Sequence, residues 1–409
     1  MLYDIITSIV NFHLKLIAHF NTKLKLGVDG RAKTFEILNA SISKTDKTVW
    51  FHCASLGEYE QGLPVFKNIR NDFPSHKIIL TFFSPSGYEI RKNTDIADVV
   101  VYLPLDTKKN AKLFLEIVHP ELTIFVKYDF WPNYLNELKK RQLKAILISA
   151  VFRESQSFFK FYGSRMRNAL KAFEHIFVQD NASKALLNTI HFSNVSVSGD
   201  TRFDRVSDQL KQDNKLPFIE AFKADNLCVV IGSSWPEDED ILIKFINTSS
   251  LKNIKYIIAP HNIKPGQIQN LVTKLQPKTV LFSEKENKTL SEYSILIIDT
   301  IGILSKIYSY ADIAYVGGAI GTTGLHNILE PAVFGVPIII GNRYDKFPEA
   351  FKMIADGGVI SISNFETLQS KLNMIIENPS KRAQLGNLNK LFIEKNKGAV
   401  VQIMDFIRK

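Results

Sequence analysis

The chain has 409 residues, a length that predicts two domains, and its balance of 45% hydrophobic and 22% charged residues is that of an ordinary globular protein. A chain of this length can bury hydrophobic cores large enough to stabilise the fold without disulfide bonds. Its two cysteines, Cys53 and Cys228, lie inside apolar runs with no partner at metal-ligand spacing, so we expect small buried residues in a reducing compartment. The net charge of +10 favours anionic partners, namely nucleotide phosphates, anionic lipid or nucleic acid, without choosing among them.

The N-terminal segment, residues 1–20, is apolar but carries Asp4, Asn11, His13 and Lys15. It lacks the small-residue cleavage site of a secretory signal. No apolar run reaches the roughly eighteen residues that a transmembrane helix needs. The segment fits a helix that packs on the protein body or one that lies in a membrane interface, and the sequence leaves both open.

Short apolar runs alternate along the chain with longer helical patterns. Strands are predicted at Thr48–Cys53, Lys77–Phe82, Val99–Leu103, Leu122–Val126, Ala145–Ser149, His175–Val178, Val195–Ser198, Leu227–Ile231, Tyr256–Ala259, Thr279–Phe282, Ser294–Ile298, Ile313–Val316 and Pro337–Ile340. Nearly continuous apolar runs are typical of parallel strands that are covered on both faces, and their alternation with helices indicates βαβ units. The sequence therefore predicts an α/β protein with two doubly wound, Rossmann-like domains.

A polar, lysine-rich stretch between the two strand series, residues 206–226, predicts the domain boundary. We expect an N-terminal domain at 1–205, a C-terminal domain at 206–385 and a last helix at 386–409 that packs back on the N-terminal domain. Ligands of open α/β sheets bind beyond the carboxyl ends of strands, so two such domains facing each other would create a cleft lined by residues that follow strands.

The first such group is Ser55, Gly57 and Glu58, which follow the strand Thr48–Cys53. The glycine would let the backbone approach a ligand closely, and Glu58 could deprotonate a sugar hydroxyl. Ser55 and Glu58 also have the spacing of a helix capping box, which alone would explain both residues.

The second group begins with Gly232, Ser233 and Ser234, small residues that precede a helix start and so predict an anion site. Ser234 and Glu237 again fit a capping box. The acidic run at 237–240 is typical of a helix first turn rather than of a metal site.

The third group is a loop with four glycines in eight residues, Gly317, Gly318, Gly321 and Gly324, able to wrap a phosphate. It leads into His326, Asn327 and Glu330. A carboxylate one turn into the following helix could accept both ribose hydroxyls of a nucleotide. A capped helix after a glycine-rich turn is the structural alternative.

Smaller features complete the candidate site. Pro260, His261 and Gly302 follow predicted strands, and Arg202 lies near the domain boundary, where a buried ion pair is its structural alternative. Residues 158–162 mix aromatic side chains with bases, which fits either a core helix with a basic edge or a surface that meets lipid head groups.

Read in order, these residues resemble the Kdo (3-deoxy-D-manno-octulosonate) transferase family. The resemblance rests on Phe51–Glu58, Tyr102–Pro104, Phe130–Asn133, Ile148–Ala150, Gly199–Asp204, Gly232–Ser234, Ala259–His261, Asp299–Gly302, Gly317–Gly318 and His326–Pro331. Each motif alone is weak, but the ordered set covers nearly the whole chain and is specific.

The resemblance implies an inverting glycosyltransferase of the GT-B fold that moves Kdo from CMP-Kdo to a lipid A precursor (lipid IVA) in lipopolysaccharide biosynthesis. It implies an acceptor-binding N-terminal domain, a CMP-sugar-binding C-terminal domain and no metal or other cofactor. It also implies work on the cytoplasmic face of the inner membrane, as a peripheral or N-terminally anchored protein, and we expect no nucleic-acid partner.

The resemblance also assigns residues. The family's general base maps onto Glu58. The family's CMP contacts map onto Ser233, Ser234, Pro260, His261, Gly302, Asn327 and Glu330. Together with these, we take as substrate-binding candidates Ser55, Gly57, Lys127, Arg202, Gly318 and His326.

Two positions depart from the family pattern. The family often has Glu-x-Glu before its Trp-Pro-Asn, whereas this chain has Lys127, Tyr128 and Asp129. A lysine cannot act as a carboxylate, but it could pair with Glu58 or with an acceptor phosphate. Leu325 stands where a glycine usually precedes the His-Asn pair, which reads as variation within the loop.

Other functions remain open to the sequence. The alternatives are another GT-B transferase or a nucleotide-sugar epimerase with a different donor, and a noncatalytic protein that binds anionic lipid through a basic face. The last would have no need of a glycine-rich loop followed by Asn327 and Glu330. Neither a Walker motif nor a G-x-G-x-x-G turn after the first strand of either half is present, which disfavours P-loop and dehydrogenase functions.

Overall fold

The computed structural model of the chain describes residues 2–409, although not the side chains of residues 2, 4–6, 8, 11, 12 and 15. Met1, which the sequence assigns to the N-terminal segment, lies outside the described residues. Contacts divide the chain into two units, one formed by the residues up to Arg205 together with Lys397–Lys409, and the other by Val206–Asn396.

The first unit contains a seven-stranded, all-parallel sheet in the order β3-β2-β1-β4-β5-β6-β7. Its strands are β1 Thr48–Cys53, β2 Lys77–Phe82, β3 Val99–Tyr102, β4 Leu122–Val126, β5 Ala145–Ala150, β6 His175–Val178 and β7 Val195–Val197. The helices up to the division are α1 Leu2–Ile17, α2 Thr22–Ser41, α3 Leu56–Asp72, α4 Pro85–Arg91, α5 Lys108–Val118, α6 Pro132–Lys140, α7 Ser164–Leu170, α8 Asn181–Thr189 and α9 Thr201–Gln209.

The second unit contains another seven-stranded parallel sheet, in the order β10-β11-β9-β8-β12-β13-β14. Its strands are β8 Leu227–Ser234, β9 Ile254–Pro260, β10 Thr279–Leu281, β11 Ile295–Ile297, β12 Ile313–Val316, β13 Ile338–Ile340 and β14 Val359–Ser361. Its helices are α10 Pro217–Lys223, α11 Pro236–Thr248, α12 Pro265–Lys274, α13 Leu304–Ile307, α14 Leu329–Ala332, α15 Pro348–Ala355, α16 Phe365–Glu377 and α17 Pro379–Asn396, and the final helix α18, Ala399–Ile407, belongs to the first unit.

The central strands are buried on both faces, as expected when helices cover both sides of a sheet, whereas the edge strands β7, β10 and β14 are partly exposed. In β1, Trp50 packs in one core beside Phe125, and Phe51 packs in the other, with its ring stacked 4.0 Å from that of Phe66. All six residues of β1 are buried. The predicted doubly wound α/β class is confirmed, and the strand that the sequence missed is the three-residue β14.

The end of the chain differs from the prediction, which placed a boundary between residues 385 and 386. Helix α17 runs through that point without a break and stays with the second unit, where Asn389 Nδ2 donates to the carbonyls of Val336 and Gly358, both at 2.8 Å. The segment that joins the first unit begins only at Lys397. There the Asp204 carboxylate accepts the backbone N–H of Gly398 at 2.9 Å, at the start of α18.

The strand orders define where a ligand site is expected in each unit. The order reverses between β1 and β4 in the first sheet and between β8 and β12 in the second. At the carboxyl ends of these two neighbouring strands, the loops turn to opposite faces of the sheet, so that a crevice forms between them. None of the helices within residues 2–409 combines the length and apolarity needed to cross a bilayer.

Candidate functional site

The turn between β1 and α3 places Glu58 at the carboxyl edge of the first sheet. Its side chain is 6% exposed, and Ser55 Oγ donates a hydrogen bond to its carboxylate. Ser55 precedes α3 but makes no side-chain hydrogen bond to the helix backbone, so the capping-box interpretation of this pair is wrong. Since the hydroxyl binds the carboxylate instead, the serine holds Glu58 in place. Gly57, between them, is exposed in the first turn of α3.

Residues of the β4 loop gather beside Glu58. Burial raises the pKa of Tyr128, and the negative charge of Glu58 raises it further while Arg153 lowers it, so these three groups share one environment. Lys127 has a left-handed backbone with φ of 71°, and its Nζ lies 5.1 Å from the centroid of the Tyr128 ring. Tyr128 and Arg153 were not identified from the sequence, because only the fold brings the ends of β1, β4 and β5 together.

A buried hydrogen-bond network ties the ends of β1 and β4 together. His52, which is fully buried on β1, is joined through Nε2 to the Asp129 carboxylate at 2.7 Å and through Nδ1 to the Thr81 hydroxyl at 2.8 Å. Trp131 Nε1 donates to the same Asp129 oxygen at 3.0 Å. The network fixes the loop that carries Lys127. His52 belongs to the Phe51–Glu58 stretch on which the resemblance rests, but no role was predicted for it from the sequence.

Arg202 lies in α9. It forms the ion pair that the sequence analysis gave as the alternative to a substrate-binding role. Its guanidinium binds the Asp200 carboxylate, with Nε at 2.8 Å and Nη2 at 2.7 Å. The other oxygen of Asp200 accepts from Gln61 Nε2 at 2.7 Å, and Gln61 lies on α3, one turn after Glu58. Arg202 is therefore oriented by its own unit, and 31% of its side chain remains exposed.

In the second unit, a buried carboxylate organises the ends of β8 and β12. Asp238 is 0% exposed and accepts three hydrogen bonds, from the backbone N–H of Gly318 and the Tyr315 hydroxyl at 2.8 Å and from the Trp235 N–H at 3.0 Å. Burial raises the pKa of Asp238, and these hydrogen bonds oppose that shift.

The predicted capping box of Ser234 and Glu237 is wrong. Helix α11 begins one residue later than that pattern requires, with Trp235 before it, and Asp238 takes the position that receives the Trp235 N–H. Ser234 is 2% exposed, and its hydroxyl donates to Glu239 at 2.9 Å. Apart from the capping box predicted for Glu237, the sequence had assigned the acids of this run to a helix first turn.

The glycine-rich loop is shaped by the protein's own backbone. A Cβ on Gly317 would lie 2.4 Å from the Ser233 carbonyl oxygen, and a Cβ on Gly318 would lie 2.1 Å from that of Gly324. Gly318 also has a φ of 97°. Its N–H is taken by Asp238 and its carbonyl accepts from the N–H of Gly324 at 3.0 Å. Gly318 therefore shapes the loop, and its own polar groups are already bonded.

Three aromatic side chains stack beside this loop. The rings of Trp235 and His261 lie 4.3 Å apart and nearly parallel, and the ring of His326 lies 4.7 Å from that of His261. Trp235 Nε1 donates to His326 Nε2 at 3.1 Å, so that nitrogen is unprotonated. Burial, with a smaller contribution from His261, lowers the pKa of His326 to about 4, and burial also lowers that of His261.

The other candidates of the second unit lie in the last residues of β8 and β9 or in the loop after β11. Ser233 is in a β-bulge of β8 with φ of 53°, a conformation that costs a non-glycine residue energy and recurs at functional sites. Pro260 ends β9 and lines a cavity of about 50 Å³ together with Ser234. Gly302 is exposed in the loop after β11.

Asn327 and Glu330 meet at the start of α14, which runs from Leu329 to Ala332 and so begins one residue later than a cap at Asn327 requires. Asn327 Oδ1 accepts the backbone N–H of Leu329, and its Nδ2 donates to the Glu330 carboxylate, both at 3.1 Å. The asparagine therefore orients the carboxylate. The residue directly before α14 is Ile328, which makes no side-chain capping bond, so the alternative of a helix capped by Asn327 is not confirmed.

Two features of the sequence bear on metal and redox chemistry. Among residues 2–409, no three histidine, cysteine or acidic side chains come together as a metal site, and independence from a metal remains a prediction. Cys53 and Cys228 are both buried free thiols, as expected. Burial raises the pKa of Cys228 to about 12 and that of Cys53 well above its usual value.

Replacing Asp238 with alanine is expected to destabilise the second unit by about 3 kcal/mol, because three buried donors lose their acceptor. Urea unfolding measures the change. Asp240→Ala is the matched control, since Asp240 is 66% exposed and bonded only to a surface lysine. Equal stability of the two variants would contradict the role of Asp238.

The lowered pKa of His326 predicts a pH dependence of stability. Between the ordinary histidine pKa of 6.5 and the folded value of about 4, the unfolded chain binds a proton at this side chain that the folded chain does not. The contribution of His326 to stability is therefore complete above pH 6.5 and is lost as the pH falls towards 4. The variant His326→Gln keeps an acceptor for Trp235 but has no side chain that titrates in this interval. Urea titrations should therefore show that the unfolding free energy of the variant falls less between pH 6.5 and 4 than that of the wild-type chain. Parallel pH profiles of the two chains would contradict the lowered pKa of His326.

Comparison with known proteins identifies relatives along most of the chain. Residues 29–205 match the family model described as 3-deoxy-D-manno-octulosonic-acid transferase (kdotransferase). The chain is 26% identical over 375 residues to the 3-deoxy-D-manno-octulosonic acid transferase of Haemophilus influenzae, covering 88% of this chain and 86% of that protein. It is 28% identical over 389 residues to the protein of the same name from Rickettsia felis, covering 91% and 81%.

Solved structures resemble the fold. A UDP-GlcNAc 2-epimerase from Neisseria meningitidis aligns with a TM-score of 0.62 at 15% identity, covering 88% of this chain and 100% of that one. A glycosyltransferase from Rickettsia africae aligns with a TM-score of 0.57 at 13% identity, covering 88% and 98%. At these identities the shared property is the fold, and the predicted GT-B class is confirmed.

Proposed function

We propose that this chain, whose residues 29–205 belong to the Kdo transferase family, transfers Kdo from CMP-Kdo to a lipid A precursor. The observation that carries the proposal is the placement of Glu58. Within the part of the chain that matches the family, this buried carboxylate lies at the strand-order reversal, bound by a serine and near enough to Tyr128 to raise the pKa of that tyrosine. A carboxylate held in this way is suited to general-base work.

In the proposed reaction, the hydroxyl of the acceptor attacks the anomeric carbon of Kdo. The carboxylate of Glu58 takes the hydroxyl proton as the new carbon–oxygen bond forms. The bond between the anomeric carbon and the phosphate oxygen breaks, and CMP leaves with that electron pair. Because the nucleophile enters opposite the leaving group in a single displacement, the anomeric configuration inverts.

The second unit is proposed to bind CMP. The backbone at Ser233 and Ser234, before the thirteen-residue helix α11, suits the phosphate, since N–H groups at a helix start attract an anion. Pro260, His261 and Gly302 are proposed as further contacts. The aromatic stack that includes His261 offers a flat surface for a base. These preorganised dipoles would also stabilise charge that develops on the departing phosphate.

Asn327 and Glu330 are proposed to bind the ribose. The Glu330 carboxylate has two oxygens, and one accepts from Asn327 Nδ2. A carboxylate oriented in this way can accept hydrogen bonds from two neighbouring hydroxyls. His326, as a neutral ring, supports the stack beside it. Gly318 is proposed to act by shaping the loop.

Lys127 and Arg202 are proposed to meet anionic groups of the substrates. Both belong to the first unit, and Arg202 is already oriented by Asp200. Lys127 replaces a carboxylate that relatives of the family often carry, so we propose that it binds a phosphate of the acceptor rather than acting as an acid or base. We propose that helix dipoles of the second unit meet the charge on CMP, so that the reaction needs no metal ion.

The acceptor sets the proposed location. A lipid A precursor is held in a bilayer, so the protein is proposed to work at the cytoplasmic face of the inner membrane. The apolar side chains that α1 leaves exposed, Ile9, Val10, Leu16 and Ile17, support contact with a membrane surface.

A mass-spectrometric assay tests the proposal. The purified chain is incubated with CMP-Kdo and a lipid A precursor, and the lipid is scored for the addition of no, one or more Kdo residues. UDP-GlcNAc replaces CMP-Kdo in the control reaction, which is scored for both transfer and epimerisation. We expect Kdo addition only with CMP-Kdo, and conversion of UDP-GlcNAc without any reaction of CMP-Kdo would overturn the proposal.

A further inference from the structure

The bulge at the end of β8 is the strained element of the proposed phosphate site. Ser233 is the extra residue of this bulge, because the register of β8 against β9 shifts between Gly232 and Ser234. Its φ of 53° is in the left-handed region, which a residue other than glycine occupies at a cost in energy. Such a conformation persists only where the surrounding structure holds it. The contacts of the bulge therefore decide which way its backbone N–H groups point.

Two contacts hold the bulge through its carbonyl groups. The carbonyl oxygen of Ser233 packs on Gly317, where an added Cβ would lie only 2.4 Å from that oxygen. The carbonyl of Ser234 accepts the backbone N–H of His261, which follows β9, at 2.9 Å. Both contacts use backbone atoms of the bulge, so neither depends on a serine side chain.

A third contact comes from a side chain in the first turn of α11. Glu239 accepts a hydrogen bond from the hydroxyl of Ser234 at 2.9 Å, and Ser234 is almost fully buried. The backbone N–H of Glu239 donates to the carbonyl of Trp235, also at 2.9 Å. Burial raises the pKa of Glu239, and the hydrogen bond from Ser234 opposes that shift. The start of the helix is thus tied to the bulge by both a backbone and a side-chain hydrogen bond.

The cavity beside Glu239 is too small for a nucleotide. Glu239 and Ser234 line it together, and its volume of about 50 Å³ is far below the roughly 300–1,000 Å³ of small-molecule pockets. A space of this size holds a few water molecules. Its lining also includes the amide side chains of Asn262, Gln267 and Asn270. The carboxylate of Glu239 is therefore placed to bind the protein's own serine rather than a nucleotide.

On charge alone, a carboxylate next to a phosphate site is unfavourable, because two negative groups repel each other. Glu239 is one hydrogen bond away from the backbone that is proposed to bind the phosphate of CMP. Removing its charge should therefore strengthen the binding of an anion, unless the side chain has another role. Holding the Ser234 hydroxyl is such a role, and it requires an acceptor oxygen rather than a negative charge.

We propose that Glu239 is a positioning residue for the phosphate of CMP. By binding the Ser234 hydroxyl, it keeps the strained bulge at Ser233 in the conformation that receives the phosphate. This inference rests on the proposed binding of CMP by the second unit. It adds that the phosphate affinity of that unit depends on a side chain that does not touch the nucleotide.

Two substitutions of Glu239 are expected to differ in their effect on CMP binding, which isothermal titration calorimetry measures. Glu239→Leu removes the acceptor, so it should lower the affinity for CMP at least about tenfold, roughly the contribution of one hydrogen bond to a charged group. This loss is expected even though the variant also removes a negative charge. Glu239→Gln removes the same charge but keeps an acceptor oxygen for Ser234, so it should bind CMP at least as tightly as the wild-type chain.

Cytidine, which lacks the phosphate, separates positioning from a general loss of structure. Glu239→Leu should bind cytidine as tightly as the wild-type chain does, because the groups proposed for the base and the ribose are unchanged. The matched control, Glu366→Leu, changes an exposed glutamate of α16 in the same unit and should leave both affinities unchanged. A wild-type chain that binds CMP no more tightly than cytidine would overturn the proposed phosphate site, and this proposal with it.

Ser234→Ala removes the same hydrogen bond from its other side and keeps the backbone N–H of the bulge. It should weaken CMP binding as much as Glu239→Leu does, and the double variant should bind no more weakly than either single variant. The proposal is overturned if Glu239→Leu binds CMP as tightly as the wild-type chain, or if Glu239→Gln binds it as weakly as Glu239→Leu. It is also overturned if Ser234→Ala lowers the affinity further in the Glu239→Leu background, since the hydroxyl would then contact the phosphate itself.

Discussion

Replacing Glu58 with glutamine is expected to lower the rate of Kdo transfer by roughly 10²–10⁴-fold, the usual contribution of a positioned general base. The substitution keeps the size of the side chain and an acceptor for the Ser55 hydroxyl. What it removes is the ability to take a proton from the acceptor hydroxyl. Single-turnover measurement of transfer with saturating CMP-Kdo and lipid acceptor gives the rate of the chemical step.

The controls separate catalysis from folding. Glu116→Gln makes the same change at an exposed glutamate of α5 and should transfer Kdo at the wild-type rate. The Glu58→Gln variant should also keep the wild-type unfolding temperature and affinity for CMP. Turnover within a few-fold of the wild-type chain would remove Glu58 from the role of base, while the similarity of the chain to the Kdo transferases would still stand.

Replacing Glu330 with alanine is expected to weaken CMP binding about a hundredfold. Two hydrogen bonds to a charged carboxylate are lost, which together contribute about 3 kcal/mol. Isothermal titration calorimetry with CMP measures the loss directly. Glu366→Ala, at an exposed glutamate in the first turn of α16 of the same unit, serves as the control and should bind CMP normally.

A nucleotide that lacks one ribose hydroxyl tests more directly whether Glu330 binds the ribose. If Glu330 binds both ribose hydroxyls, the wild-type chain should prefer CMP to 2′-deoxy-CMP, and the Glu330→Ala variant should bind the two nucleotides equally. A preference for CMP that survives the substitution would show that another group binds the 2′-hydroxyl. Asn327 would then be the first residue to test, because its amide adjoins the same carboxylate.

The sequence was most informative about the strands. Thirteen of the fourteen were anticipated, because a parallel strand covered on both faces is a continuous apolar run that stands out from its neighbours. The missing strand, Val359–Ser361, is only three residues long and carries too short a pattern. The stretch from Pro379 was predicted to be helical, but the domain boundary was placed inside α17. What holds all of α17 to the second unit is the buried amide of Asn389 rather than any composition shift.

Local spacing was less informative about side-chain partners. The serine-to-glutamate spacing of Ser55 and Glu58 is that of a capping box, yet the serine binds the carboxylate instead of the helix backbone. At Asn327 and Glu330 the asparagine binds both the carboxylate and the Leu329 N–H, while Ile328 stands directly before the helix. Spacing along the chain limits which atoms can meet, but the competition among nearby donors and acceptors decides which of them bond.

By itself, the sequence determined the class of fold and the strand ends at which the site residues lie, because hydrophobic periodicity and turn residues are local properties of the chain. Only the tertiary structure decided which residues surround them. Asp238 gathers donors from β12 and from the loop that follows it, and His52 meets Asp129 across 77 positions. Such contacts depend on the order of the strands in the sheet, because that order brings distant segments to one edge. Strand order cannot be predicted from the local pattern of the sequence.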